Sequence, residues 1–292
     1  MKRLFTILSV CLAMAALMVS CGGSPKGLYP KEKSSKVYRI VTYNVGIFGK
    51  WDLSSEAYTA GLMNEIKPDV IALQELDSCT LRSGKERFQA REFAAAMGPD
   101  WDYTYAAALK TYQEGSYGIG EVWNTDRLKA VKIFHVMLPK GDCREERALD
   151  VVEYENMVVA STHLNGHASS LTPSAEIITA EMKRLYGDSD KPVFLCGDFN
   201  ARPDNPVIIN LQNDWTILSQ EGSTGVGGKN RGLPQPPQTL EEVKGGNIDY
   251  IMALKNKASY ELVDSKIMFR FETGDAFESS DHLPVYVDVR LK

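Results

Sequence analysis

Among five cysteines there is no Cys-x-x-Cys pair, which removes the usual sequence support for a zinc site. Basic charge is also short: 33 Lys and Arg face 38 Asp and Glu, a net charge of −5. A tight, sequence-independent nucleic-acid binder ordinarily shows a basic excess or stripe. The shortfall weakens a nuclease reading without excluding it, because acidic nucleases can offset phosphate charge with metal ions. No P-loop is complete either. In GSTGVGGKNRGLPQPPQ, Gly222–Gln238, Asn230 stands where Ser or Thr must follow Gly228-Lys229, and the upstream glycine is missing. A loop this long is either a functional lid or disordered. No repeat and no second linker is visible, so residues 37–292 read as one domain.

The one long apolar run comes first. MKRLFTILSVCLAMAALMVSC has a basic start at Lys2 and Arg3, an apolar stretch Leu4–Val19, and small Ser20 before Cys21. This is the pattern of a signal peptide over residues 1–20, too short and wrongly flanked for a stable span. An Ala-x-Ala cleavage pattern is absent, and MVSC resembles a bacterial lipobox in which Cys21 is lipidated. Residues 21–36 then read as a lipidated cysteine and a polar tether. The expected location is the cell envelope, anchored to a membrane through Cys21 outside the cytoplasm (periplasmic face or outer membrane), with plain secretion as the alternative. Removal of Lys2 and Arg3 leaves 31 basic against 38 acidic residues, a net charge of −7. Three cysteines remain in the domain. Cys196 lies in an apolar run and reads as a buried thiol, whereas Cys79 and Cys143 lie in polar loops and are free to pair in an oxidising compartment.

Strands and helices alternate along the domain. KVYRIVTYNV, VIAL, WDYTYAA, YGIGEVW, AVKIFHVML and ENMVVASTHL have strand composition, as do Val193–Cys196, Trp215–Leu218, Ile248–Leu254, Glu261–Phe269 and Val285–Leu291. Helices are expected before Pro68, over Lys85–Gly98, and from a Thr172 cap with Pro173 at the first position to Gly187. This is a mixed α/β domain whose topology periodicity alone leaves open.

Polar residues recur at the strand ends: Asn44 in TYNVG, Gln74 and Glu75 in LQEL, His163 and Asn165 in STHLNG, Asp198 and Asn200 in GDFN, Asp249 in NIDYI, Asp281 and His282 in SSDHLPV. Singly, each also has a plain structural explanation as a turn residue, a surface charge or a satisfied histidine. Together, in this order from Arg39 to Val287, they resemble the endonuclease/exonuclease/phosphatase superfamily, which includes DNase I, abasic-site endonucleases, neutral sphingomyelinases and inositol-polyphosphate 5-phosphatases. The resemblance implies a four-layer α/β/β/α sandwich of two mainly antiparallel sheets flanked by helices, with the site at one edge.

It also implies a metal-dependent phosphoesterase, most readily a phosphodiesterase. Phosphate esters resist nucleophiles, so hydrolysis requires charge neutralisation, an activated water and in-line geometry. Hard oxygen ligands suit Mg²⁺ or Mn²⁺. By resemblance Glu75 is the primary metal ligand, supported by Asn44 and Asp281. His282 acts on the water or the phosphate and is oriented by Asp249. Asp198 positions or deprotonates the water, and Asn200 and His163 donate to developing charge. Ser116 or Tyr117 is expected to face the phosphate, and Arg147 matches an arginine often found in the lead-in to its strand. The phosphate-ester substrate is open: a DNase I-type nuclease, a sphingomyelinase-like lipid enzyme and a small-molecule phosphatase all fit the family, and the chain is expected to be a monomer. A non-catalytic phosphate-binding lipoprotein is the contrasting class, disfavoured because every candidate site residue is present.

Overall fold

The computed structural model describes residues 32–292; the leader and Cys21 lie outside the described residues. The chain first lays down five strands of one sheet, β1 Tyr38–Asn44, β2 Val70–Ser78, β3 Trp101–Tyr103, β4 Ala106–Tyr112 and β5 Gly115–Asn124. It then builds all six strands of a second, β6 Ala130–Leu138, β7 Arg147–Tyr154, β8 Val158–His163, β9 Val193–Asp198, β10 Trp215–Ile217 and β11 Asp249–Leu254. Finally β12 Tyr260–Ile267 and β13 Val285–Leu291 return to the first sheet. The orders are β12-β13-β1-β2-β5-β3, with β4 also on β5, and β10-β11-β9-β8-β7-β6.

Pairing is antiparallel except for β1 with β2 and β8 with β9. Parallel neighbours need a crossover, supplied by α1 Glu56–Ile66 and α3 Ala168–Tyr186; α2 Gln89–Met97 and α4 Pro206–Leu211 complete the α-helices of the described residues. Each sheet is apolar on both faces. On the first, Val41, Tyr43, Ile71 and Leu73 meet Leu62, Met63 and Phe93 of α1 and α2. On the second, Leu149, Val151 and Leu195 meet Leu171, Ile178 and Met182 of α3. Ile40, Val70, Val159, Phe194, Cys196 and Val287 fill the space between the sheets. Alternate residues of one strand thus serve two cores, which gives the four-layer sandwich of two mainly antiparallel sheets, each with one parallel pair.

Two helix starts differ from expectation, and the pairing of Cys79 and Cys143, left open by the sequence, does not occur. α3 begins at Ala168 with His167 as its cap, so Pro173 lies inside the helix. Tertiary contacts hold the added turn: Leu171 is buried, and Ser170 Oγ donates to the Pro139 carbonyl at 2.7 Å. α2 begins at Gln89, because Lys85–Phe88 belong to the turn and loop leading from β2. Cys79, Cys143 and Cys196 are all free, so the Cys79–Cys143 disulfide is not formed, while Cys196 is buried. α4 was hidden in the proline-broken stretch after GDFN, where Asn205 caps it through Val207 N and Pro206 takes the first position.

Candidate active site

The strand directions gather the polar residues at one edge. β1 and β2 run parallel and bring Asn44, the last residue of β1, and Glu75, within β2, to that edge; β8 and β9 also run parallel and end with His163 and Asp198. In the second sheet, register sets His163 opposite Asp198 and Asp198 opposite Asp249, a row of three across adjacent strands. His282 precedes β13, whose Val285 pairs Thr42 of β1, so it arrives at the same edge.

Two backbone devices aim the carboxylates. Glu75 is the extra residue of a bulge between Gln74 and Leu76 and has φ 59°, which turns its side chain out of the ladder. Gly197 has φ 155°, and a Cβ there would lie 2.0 Å from the Thr162 carbonyl oxygen of β8. Only glycine allows the two strands to close at the point that delivers Asp198.

Asp198 is the hub. One carboxylate oxygen accepts from Asn200 N at 2.8 Å; the other accepts from Asn44 Nδ2 at 3.0 Å and faces His163 Nε2 at 3.5 Å and His282 Nε2 at 3.6 Å. Burial and the charge of Asp249 push its carboxyl up to about 7, against the pull of His282. Asn44 Nδ2 also reaches Glu75 Oε1 at 3.1 Å, bridging the two acids. On the far side, Asp249 holds His282 Nδ1 at 2.9 and 3.1 Å. Burial pulls the His282 imidazole down, but Asp249 and Asp198 outweigh it and push it up to about 10.

His163 behaves oppositely. Burial and the neighbouring charges of Arg147 and His282 hold it well below the ordinary range, so it is neutral. Arg147 Nη1 lies 3.3 Å from its Nδ1 and Asn200 Nδ2 lies 3.1 Å from its Nε2. A neutral imidazole accepts at one nitrogen only. Each ring nitrogen thus faces a donor while only one carries a lone pair, so one of the two donors faces an N–H and is available to an anion.

A cavity of about 410 Å³ opens beside this cluster, lined in part by Lys50, Glu75, Tyr117, Arg147, His163 and Asn200. Of Ser116 and Tyr117, Tyr117 faces it, whereas Ser116 Oγ hydrogen-bonds Tyr105 Oη at 3.0 Å. Arg147 is buried, donates to Asn165 Oδ1 at 2.9 Å and pairs Glu145 at 3.0 Å. Asp281 is set apart from the hub: its Oδ2 meets Lys50 Nζ at 2.6 Å, and its buried Oδ1 has no partner.

The 222–238 loop proves to be a brace. Thr224 Oγ1 accepts from Ile248 N and Asp249 N, both at 3.0 Å, and Val226 N and Gly227 N donate to the Asp281 carbonyl at 2.8 and 2.9 Å. Thr224 and Lys50 carry no motif signal and escaped the sequence reading. Asp198, Asp249 and His282 lie close enough together to form a cluster able to hold a metal ion. The acidic oxygens of Glu75 and Asp281, one of them orphaned, also fit a hard divalent cation.

An α/β/β/α sandwich with this acid and histidine constellation at its edge defines a class of phosphoester hydrolases. The chain belongs to the endonuclease/exonuclease/phosphatase family, whose model matches residues 41–282. Among curated proteins, no sequence matches it. Solved structures share the fold at low identity. A family member from Bacteroides vulgatus is 15% identical with TM-score 0.67, over 89% of this chain and 100% of that one. A mannosyl-6-phosphatase from Bacteroides thetaiotaomicron is 17% identical with TM-score 0.63, over 86% and 99%. The catalytic domain of human Nocturnin, solved with bound sulfate, is 16% identical with TM-score 0.62, over 88% and 94%.

Proposed function

We propose that the protein is a divalent-metal-dependent phosphoesterase acting outside the cytoplasm on a compact phosphate ester. The observation that carries this reading is the continuous chain of contacts from Glu75 through Asn44, Asp198 and His282 to Asp249 beside a bounded cavity. Glu75, supported by Asn44, is the residue suited to hold Mg²⁺ or Mn²⁺, with Asp281 contributing once Lys50 moves aside. The cation supplies charge neutralisation at the phosphate.

The remaining chemistry belongs to the side chains. Asp198, buried and within reach of both histidines, accepts or positions the proton of the attacking water. His282, held charged by Asp249, donates to a phosphate oxygen through Nε2. Asn200, Arg147 and His163 add donors where charge grows on the phosphoryl oxygens. A cavity of about 410 Å³ favours a small ester over a duplex, and so does the net charge of −5. The mannosyl-6-phosphatase among the structural neighbours acts, by its name, on a substrate of that size class. The decisive experiment is hydrolysis of bis-p-nitrophenyl phosphate and p-nitrophenyl phosphate with Mg²⁺ or Mn²⁺. Activity that survives His282→Ala undiminished overturns the assignment.

The extracytoplasmic location and membrane tether rest on the leader and Cys21 alone. Cys21→Ser is expected to move the protein from the membrane fraction to the soluble one; unchanged fractionation refutes the anchor.

A further inference from the structure

The cavity has charged lining that the hydrolytic residues do not use. Arg82, Tyr112 and Glu145 also line it. Arg82 follows β2 in a short loop and is held by Asp77, the penultimate residue of that strand. Asp77 is fully buried. It takes Arg82 Nε at 2.8 Å and Nη2 at 2.9 Å, while Thr80 and Ser83 hydroxyls donate to the same carboxylate at 2.8 and 2.6 Å. The guanidinium lies over the rings of Tyr112 and Tyr117, 4.9 and 5.4 Å from their centroids.

This bracket takes up Nε and one N–H of Nη2, and the arginine itself lines the cavity. There Tyr112 Oη, 3.3 Å from Nη1, is the neighbour. Two other cations of the cavity are paired with carboxylates outside their own loops' interior: Lys50 with Asp281 at 2.6 Å and Arg147 with Glu145 at 3.0 Å. Arg82 differs because its counter-ion, Asp77, is fully buried. A planar fork fixed in this way matches the oxygens of a phosphate or carboxylate. Closure of the loop alone needs neither the aromatic bracket nor a place in the cavity lining.

We propose that Arg82 binds a second anionic group of the substrate, so that preferred substrates are compact phosphoesters carrying a further phosphate or carboxylate. The inference rests on the phosphoesterase reading of the same cavity, and its test separates the two. Calorimetric binding compares fructose 1,6-bisphosphate with fructose 6-phosphate, and 6-phosphogluconate with glucose 6-phosphate, in wild-type and Arg82→Gln protein. The first pair reports a second phosphate and the second a carboxylate.

Wild type is expected to prefer at least one doubly anionic member by about tenfold or more, the scale of one charge-assisted hydrogen-bond pair. Arg82→Gln brings that ratio close to one. Arg82→Lys restores only part of it, because an ammonium presents no fork. Equal binding within both pairs in wild type, or a preference unchanged in Arg82→Gln, overturns the proposal. Should Arg82→Gln not fold, Tyr112→Ala leaves the Asp77 pair in place and must still lower the ratio. Arg82-dependent preference without turnover of any phosphate ester leaves this subsite standing and removes the phosphoesterase reading instead.

Discussion

Asp249 brings both its carboxylate oxygens to one nitrogen of His282, at 2.9 and 3.1 Å from Nδ1, and so commits the opposite nitrogen to the site. Backbone contacts fix the pair. Asp249 N donates to Thr224 Oγ1, and Leu283 N donates to the Thr224 carbonyl at 2.8 Å, so one loop residue braces both partners. A carboxylate in this position selects the tautomer and stabilises the imidazolium.

Asp249→Asn keeps the shape but removes the charge. Its kcat is expected to fall by about 10²–10⁴, the usual range for loss of a positioned acid–base group, with KM little changed. The melting temperature serves as the folding control. A kcat within twofold of wild type would show that His282 works without its carboxylate.

Asn44 bridges Glu75 and Asp198 through a single amide nitrogen, at 3.1 and 3.0 Å. Removing such a partner behind a metal ligand typically weakens metal affinity by about 10–100-fold. Asn44→Ala should therefore shift the Mn²⁺ concentration for half-maximal activity upward by that factor. Glu75→Gln should lose activity that added metal partly restores. Indifference of both variants to metal concentration removes Glu75 from the ligand role.

Much of this site was legible because its signals are local. An apolar run ending in Gly-Asp-Phe-Asn states both a buried strand and the polar residues at its end, and β9 with Asp198 and Asn200 follows it directly. What escaped depends on partners far along the chain. Thr224 acts on Asp249 and Leu283, 25 residues and more away. Arg82 matters because two tyrosines beyond residue 110 stack beneath it. The start of α3 was misplaced because Pro173 is a strong local signal, and packing of Leu171 overrode it.

Gly197 offers a test of the strand geometry itself. At φ 155°, with Thr162 O 2.0 Å from any added Cβ, alanine cannot be accommodated without separating β8 from β9. The clash is with backbone, not with a flexible side chain. Gly197→Ala is expected to destabilise the fold by about 3 kcal/mol or more, the range of combined strain and packing defects. It should also lower activity by displacing Asp198. Chemical denaturation checks the first effect. A change below about 1 kcal/mol, within the ordinary range for a point substitution, would mean that the two strands close differently.

Glu121 gives the fold a pH dependence independent of the site. It is fully buried on β5; Tyr154 Oη donates to its Oε2 at 3.2 Å, and its Oε1 has no partner. Burial, then the charge of nearby Asp150, holds its carboxyl well above the ordinary 4.5. The folded chain therefore keeps this proton over a range in which the unfolded chain has lost it. Its stabilising contribution is complete below pH 4.5 and declines as pH rises toward the folded value. Glu121→Gln keeps the acceptor for Tyr154 and carries no titrating proton. Its melting temperature should match wild type near pH 4 and exceed it increasingly toward pH 8, by about 2–4 °C for each kcal/mol recovered in a chain of this size. Parallel melting curves for the two proteins across that range would show that the Glu121 carboxyl titrates normally in the folded state.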